Sequence, residues 1–238
     1  MITTKIKSTE NDIHKMFVKI ATKYDLLNNL MTISLHKKWK KEMIRLALKE
    51  IPNPKNAIDL CSGTGDLAII INELYQNTNI LCIDNCNEML KIAKDKTQKL
   101  NLKNVNFLLS NVEDLSHNEF KSDLITIGFG LRNVINKEKC IENIYKILNN
   151  NGVFACIDLG HPTNLIWKKI FFYYFFNIVP KLGQIFAKDK DAYSYLPNSL
   201  LTYYNQEELK QILLKKGFRK CYYKNILGGI IAIHIAVK

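Results

Sequence analysis

The stretch Ala57-Ile58-Asp59-Leu60-Cys61-Ser62-Gly63-Thr64-Gly65-Asp66-Leu67-Ala68 constrains this chain more than any other. It reads as a short buried strand, a tight glycine turn and the first turn of a helix. Nineteen residues after Gly65, the apolar run Ile80 to Ile83 ends on Asp84. A strand, glycine turn, helix, strand and acid in that order is how a Rossmann-like sheet holds an adenosine-containing cofactor. The glycines let the backbone approach the ligand, and the acid takes the ribose hydroxyls.

The spacing Gly63-x-Gly65-x-x-Ala68 also fits a dinucleotide fingerprint, so the neighbouring charges must discriminate. Asp59 at the strand end and Asp66 at the helix start would repel a pyrophosphate. They suit S-adenosyl-L-methionine, which has no phosphate and carries a cationic ammonium and sulfonium. Asp59, Gly63, Thr64, Gly65 and Asp84 are therefore candidate cofactor residues.

Apolar and helical periods alternate along the chain. Asp12 to Ala21 and Leu35 to Glu50 read as two N-terminal helices joined by a polar segment. Further strands are expected at Val105 to Leu109, Leu124 to Phe129 and Val153 to Leu159, with Asn150-Asn151-Gly152 as the turn into the last. Helices are expected at Asp66 to Tyr75, Asn87 to Leu100, Lys137 to Leu148, Leu165 to Phe176 and Glu207 to Lys216. Phe218 to Tyr223 and Ile230 to Val237 read as an antiparallel closing pair. The pattern predicts an α/β three-layer sandwich in one domain. Within it, residues 1–52 are expected to form a helical cap, 53–160 the cofactor core, 161–205 a covering segment, and 206–238 the last helix and strands.

Ligands in such sheets sit at the carboxyl ends of the strands. After the third strand, Asn111 and the backbone of Val112 are placed to read an adenine edge. After the fourth comes Gly128-Phe129-Gly130-Leu131-Arg132-Asn133-Val134, two glycines followed by an arginine and an asparagine. Asp158 ends the fifth strand and is a weaker candidate acid or base, and the nearby His161 reads as structural.

That segment resembles the signature of the ubiquinone/menaquinone biosynthesis C-methyltransferase family. The stretches Phe17 to Asp25 and Asn28 to Lys40 are similar to the family's N-terminal signature. Asp189 and Asp191-Ala192-Tyr193-Ser194-Tyr195-Leu196-Pro197-Asn198-Ser199 resemble its late motif, and Gly228-Gly229 is also similar. Two departures stand out. Gly128 is often serine in the family, and Leu200 to Asn205 lacks the arginine or proline common there.

The resemblance implies the class I S-adenosylmethionine-dependent methyltransferase fold, with N-terminal helices and a late helical insertion over the site. It implies methyl transfer to a ring carbon of a prenylated quinol, demethylmenaquinol to menaquinol being favoured over ubiquinone or phylloquinone precursors. Thr64, Asp84, Asn111, Val112 and Gly128 would touch the cofactor. Arg132 is the candidate for stabilising phenolate-like charge. A guanidinium stays protonated, so it polarises a phenol or a water and is no direct base. Asn133 and Tyr24 would orient that group. No metal is expected.

The substrate's tail needs an apolar path, and Ile166, Trp167, Ile170, Phe171, Tyr174 and Phe175 recur at helical spacing near Lys168 and Lys169. This helix reads as a lid that also touches membrane lipid, with a core helix as the alternative. The most apolar run, Ile170 to Val179, is too short to span a bilayer, which needs about 20 residues. With no signal-like segment, a cytoplasmic protein at the periphery of the inner membrane is expected. Six cysteines without a CxxC pair point to a reducing compartment. A homodimer is left open. The net charge of +12 allows a nucleic-acid methyltransferase as a rival. No Asn-Pro-Pro-Tyr-like motif or Pro-Cys pair supports that, and no nucleic-acid partner is expected. A non-catalytic scaffold of a quinone-synthesis complex is the other rival.

Overall fold

The computed structural model describes residues 9–116, 118–179, 181, 199–200 and 202–238. Its centre is a seven-stranded sheet of order β3-β2-β1-β4-β5-β7-β6. These strands are β1 Asn56–Leu60, β2 Asn79–Asp84, β3 Val105–Leu109, β4 Ser122–Gly128, β5 Leu148–Leu159, β6 Lys220–Ile226 and β7 Ile231–Val237. β1 to β5 pair in parallel, and β7 runs antiparallel between β5 and β6. The strand order reverses between β1 and β4, the switch point where such sheets open a crevice.

Alternate side chains of each central strand enter different cores. Ile58 and Leu60 face α6 (Lys137–Ile147) and α8 (Gln206–Lys215) through Ile141, Ile144, Leu209 and Leu213. Ala57 and Ile80 face α3 (Leu35–Glu50) and α4 (Asp66–Leu74) through Met43, Ile44, Ala68 and Ile71. β7 is buried at every position, which explains a sequence that is apolar but for His234, whose ring donates to the Gln206 carbonyl. The six cysteines are all free thiols, five of them buried.

A third core lies above the carboxyl ends of the strands. It joins α1 (Glu10–Ile20) and α2 (Tyr24–Thr32) to the start of α5 (Asn87–Lys99) and to α7 (Leu165–Tyr173), through Ile20, Leu27, Met89 and Phe171. α1 begins in a capping box of Thr9 and Asp12. Asn164 caps α7 by accepting from the amides of Ile166 and Trp167.

Four expectations need correction. The polar segment between the first two helices is itself helical as α2, because Leu27 and its neighbours bury an apolar face there. Asn150 to Gly152 lie within β5, whose pairing with β4 shifts register between Ser122 and Leu124, with Asn151 at φ 63°. The aromatic helix stops at Tyr173 and continues as a π-turn over Tyr174–Ile178. The first closing strand starts at Lys220, two residues later than expected. The late motif Asp189 to Asn198 lies outside the described residues.

Candidate active site

The glycine turn leaves β1 with Cys61, Gly63 and Gly65 all at positive φ. A Cβ at Gly63 would meet nothing within 4 Å, so the turn faces open space. Asp84, at the end of β2, closes this space from the side. Its carboxylate accepts the amides of Gly63 at 2.8 Å and Cys86 at 2.9 Å, which fixes its direction. Burial pushes its pKa up, against those two hydrogen bonds.

Gly63, Asp84, Asn111, Val112 and Gly128 all line one chamber at the strand ends. Asn111 accepts the Glu113 amide through Oδ1 and donates to Glu10 at 2.6 Å through Nδ2. Glu10 and Ile13 bring α1 over the outer side of this chamber.

Asp59, Thr64 and Gly65 do not line it. Asp59 is paired across the sheet with Thr126, whose hydroxyl donates to Oδ1 at 2.7 Å. Burial pushes the Asp59 carboxyl up to about 7. The Thr64 hydroxyl donates to Asp25 of α2 at 2.6 Å. Asp66 is spent on two cations, Lys40 at 2.9 Å and Lys96 at 2.8 Å. Burial works to raise its pKa, yet these lysines hold it well below the usual carboxylate range. Asp66 therefore fastens α3 and α5 to the glycine turn and is not a charge offered to a ligand.

A second cavity, of about 260 Å³, lies beside the first and is walled mainly by apolar side chains. Phe171, Tyr174 and Phe175 of the lid segment face it together with Met16, Phe17 and Ile20 of α1. Ile166 and Trp167 point outward, 69% and 47% exposed. The segment thus packs Phe171 and Phe175 into the third core and lines this cavity opposite α1, with Ile166 and Trp167 left exposed. The two chambers share four wall residues, Phe17, Tyr24, Phe129 and Asn133.

Phe129 sits at φ 60°, a strained conformation for an aromatic residue. The turn keeps it because much converges there. Its amide donates to the Ile157 carbonyl, and its own carbonyl accepts Arg132 Nη1 at 2.6 Å. Gly130 is obligatory next to it, since a Cβ there would lie 2.5 Å from the Cβ of Cys61. Arg132 lines the apolar chamber, and the same Nη1 reaches Asp158 Oδ1 at 2.6 Å. Asp158 also accepts the amides of Arg132 and Leu159. It is thus the anchor of Arg132, and three donors leave it poorly placed for acid–base work. The His161 ring donates from Nε2 to the Tyr203 carbonyl at 3.2 Å.

Tyr24 and Asn133 thus lie at the boundary of the two chambers, with Arg132 on the apolar side and Gly63, Asp84, Asn111, Val112 and Gly128 on the polar side. Phe17, Phe129 and His36 also line the chambers and were not singled out from the sequence. For Phe129 the aromatic residue between two glycines was the available signal.

A sequence profile of the ubiE/COQ5 methyltransferase family matches residues 4–238. The chain is 38% identical to the ubiquinone/menaquinone biosynthesis C-methyltransferase UbiE of Rickettsia prowazekii (strain Madrid E), over 95% of this chain and 92% of that one. It is 33% identical to the protein of the same name from Xanthomonas campestris, over 98% and 92% of the two chains. Among solved structures, the plantazolicin methyltransferase BamL, crystallised with a triazolic desmethylPZN analog and SAH, superposes with a TM-score of 0.67 at 14% identity, covering 96% of each chain. A possible histamine N-methyltransferase from Thermotoga maritima gives 0.64 at 14% identity, covering 94% of this chain and 99% of that one. These likenesses identify the fold as that of class I S-adenosylmethionine-dependent methyltransferases. Since the profile and the relatives both run nearly end to end, the chain belongs to the ubiE/COQ5 methyltransferase family.

Proposed function

We propose that this protein transfers a methyl group to a ring carbon of a prenylated quinol, converting demethylmenaquinol to menaquinol. The observation that carries this is the pair of chambers, one polar at the strand ends and one apolar, meeting at Phe17, Tyr24, Phe129 and Asn133. A transferase needs two ligands in contact across one wall, and a prenyl chain needs an apolar bed. The names of the relatives, which join menaquinone and ubiquinone, support a quinol as acceptor.

The cofactor is S-adenosylmethionine, and the polar chamber fits it. Gly63 leaves room for a ligand beside the turn, and Asp84 is oriented to accept ribose hydroxyls. Asn111, Val112 and Gly128 complete the walls. When bound, the cofactor supplies an electrophilic methyl group.

The residues of the chain supply alignment and charge. Arg132 stabilises the negative charge that grows on the quinol oxygen as its ring carbon becomes nucleophilic. Asp158 and the Phe129 carbonyl hold the guanidinium in place for this. Tyr24 and Asn133, open to both chambers, orient the ring, and the apolar walls keep water out.

The substrate enters from lipid. Ile166, Trp167, Ile170 and Tyr173 of α7, Leu227, and Ile33 at the α2–α3 corner are all exposed. Ile170 and Leu227 belong at the same time to the apolar chamber. Exposed Lys168 and Lys169 flank the patch and suit anionic headgroups. No helix among the described residues is long and apolar enough to cross a membrane, and the proposed contact is peripheral.

The test is incubation with methyl-labelled S-adenosylmethionine and reduced demethylmenaquinol, or a prenylated methoxybenzoquinol that lacks the ring methyl, in detergent. Label on the naphthoquinol ring alone supports the reading as stated. Label on both rings widens it to a shared enzyme. Label on the benzoquinol alone replaces the acceptor, and label on neither, with the cofactor bound, removes quinol methylation altogether.

A further inference from the structure

C-methylation of a quinol needs a proton acceptor, because the ring carbon becomes nucleophilic only as a hydroxyl loses its proton. Arg132 stays protonated and does not fill that role. The described titratable residues lining the apolar chamber are Tyr24, His36, Arg132 and Tyr174. A tyrosine must first lose its own proton, near pH 10, before it can accept another. Burial pushes the Tyr174 phenol up further. That leaves the imidazole.

His36 has the surroundings of a base. Tyr24, Asn28, Thr32 and His36 follow one another at four-residue steps along α2 and into α3, and all four line the apolar chamber. The Thr32 hydroxyl donates to the Asn28 carbonyl at 2.6 Å. Its single proton is thereby committed, so at 2.7 Å from His36 Nδ1 it accepts. Nδ1 therefore carries the ring proton, and Nε2 keeps its lone pair. Asp66 Oδ2, 3.9 Å from Nε2, lies on the side where an imidazolium charge would appear. Burial and then Lys40 keep the resting ring neutral, lowering its pKa to about 4. Lys37 acts in the same direction, and Asp66 and Asp25 oppose it. Thr32 fixes the tautomer, and Asp66, already paired with Lys40 and Lys96, offsets part of the charge an imidazolium would bring.

We propose that His36 is the catalytic base that takes the hydroxyl proton of the quinol through Nε2. This rests on the quinol reading above. The O–H bond breaks toward Nε2, and its electron pair passes through the ring to the carbon that bonds the methyl. The pair of the broken S–CH3 bond stays on sulfur. Loss of the C–H proton from the methylated carbon and return of a proton to the oxygen restore the aromatic ring. One proton leaves per methyl transferred.

Three measurements test it. Nitrogen-15 NMR of the histidine-labelled wild-type protein should show His36 as the Nδ1–H tautomer, and the Nε2–H tautomer would overturn the assignment without any variant. His36→Asn keeps an amide donor toward Thr32 and removes the base. With thermal stability close to wild type, its kcat on demethylmenaquinol should fall by about a hundredfold or more. As pH is raised toward about 10, where a phenol-type hydroxyl ionises unaided, the kcat deficit of His36→Asn should narrow. An unchanged kcat, or a deficit that does not narrow with pH, in an active enzyme refutes the base and leaves the quinol reading standing. If the wild type methylates no quinol, the quinol reading fails and the base assignment falls with it.

Discussion

Arg132 Nη1 lies 2.6 Å from Asp158 Oδ1, and the two side chains are only 7% and 3% exposed. A buried ion pair responds unequally to the loss of either partner. Asp158→Ala removes the carboxylate that compensates the Arg132 charge and should cost about 3–5 kcal/mol of stability, read by denaturant unfolding. Arg132→Ala should lower kcat by about a hundredfold through the lost charge stabilisation, read in the labelled-methyl assay. Arg132→Lys should not restore it. Both contacts come from Nη1 at the tip of the guanidinium, one bond farther from the backbone than a lysine ammonium reaches.

The pH dependence of stability combines opposing groups. His36 and His234 are each lowered to about 4, chiefly by burial, from 6.5. As pH falls from 6.5 to 4, the unfolded chain takes up protons there that the fold refuses, so stability is lost. Asp59, raised from 3.8 to about 7, works the other way. Its fold-specific protonation stabilises below pH 4, and that contribution is lost as pH rises through about 7. Asp59→Asn should therefore steepen the fall of Tm between pH 7 and pH 4, and a shallower fall would contradict the balance.

Gly130 and Cys61 form a steric pair. Gly130→Ala would place its Cβ 2.5 Å from the Cys61 Cβ and should destabilise by about 1–3 kcal/mol. Cys61 itself sits at φ 50°. Cys61→Gly suits that conformation and removes the clash. The double variant should recover most of the Tm that Gly130→Ala loses.

The exposed apolar patch gives a binding experiment. Trp167 fluorescence should shift to shorter wavelength when vesicles containing anionic lipid are added, and salt should weaken the response. Ile33→Asp with Trp167→Asp should abolish co-sedimentation with those vesicles while leaving cofactor affinity unchanged. Equal sedimentation of the variant would move the contact elsewhere.

The sheet was readable because local signals mark it. β1, β2 and the turn between them are apolar runs broken by glycines, and Asp84 closes the unit at a fixed distance. α2 was not readable, because Asn28, Asn29 and Thr32 are weak helix formers and its apolar face is narrow. Packing against α3, and in the third core with α1 and α7, stabilises it. Thr64 looked like a ligand contact from its place in the turn, yet its hydroxyl is taken by Asp25, 39 residues upstream. Lys96, which joins Asp25, Thr64 and Asp66, sits in a run of lysines that reads as a solvated helix face. Such long-range polar pairings leave no period in the sequence. His36 was quoted within a motif, but its tautomer depends on Thr32 and Asn28 holding their places.

The shared wall between the chambers has a kinetic consequence. The outer side of the polar chamber is bordered by Glu10 and Ile13 of α1, and that of the apolar chamber by Ile170 and Leu227. Each ligand would therefore come and go by its own door, and neither would trap the other. Initial rates should then show random-order addition, and the spent donor could be exchanged while the lipid product is still in its bed.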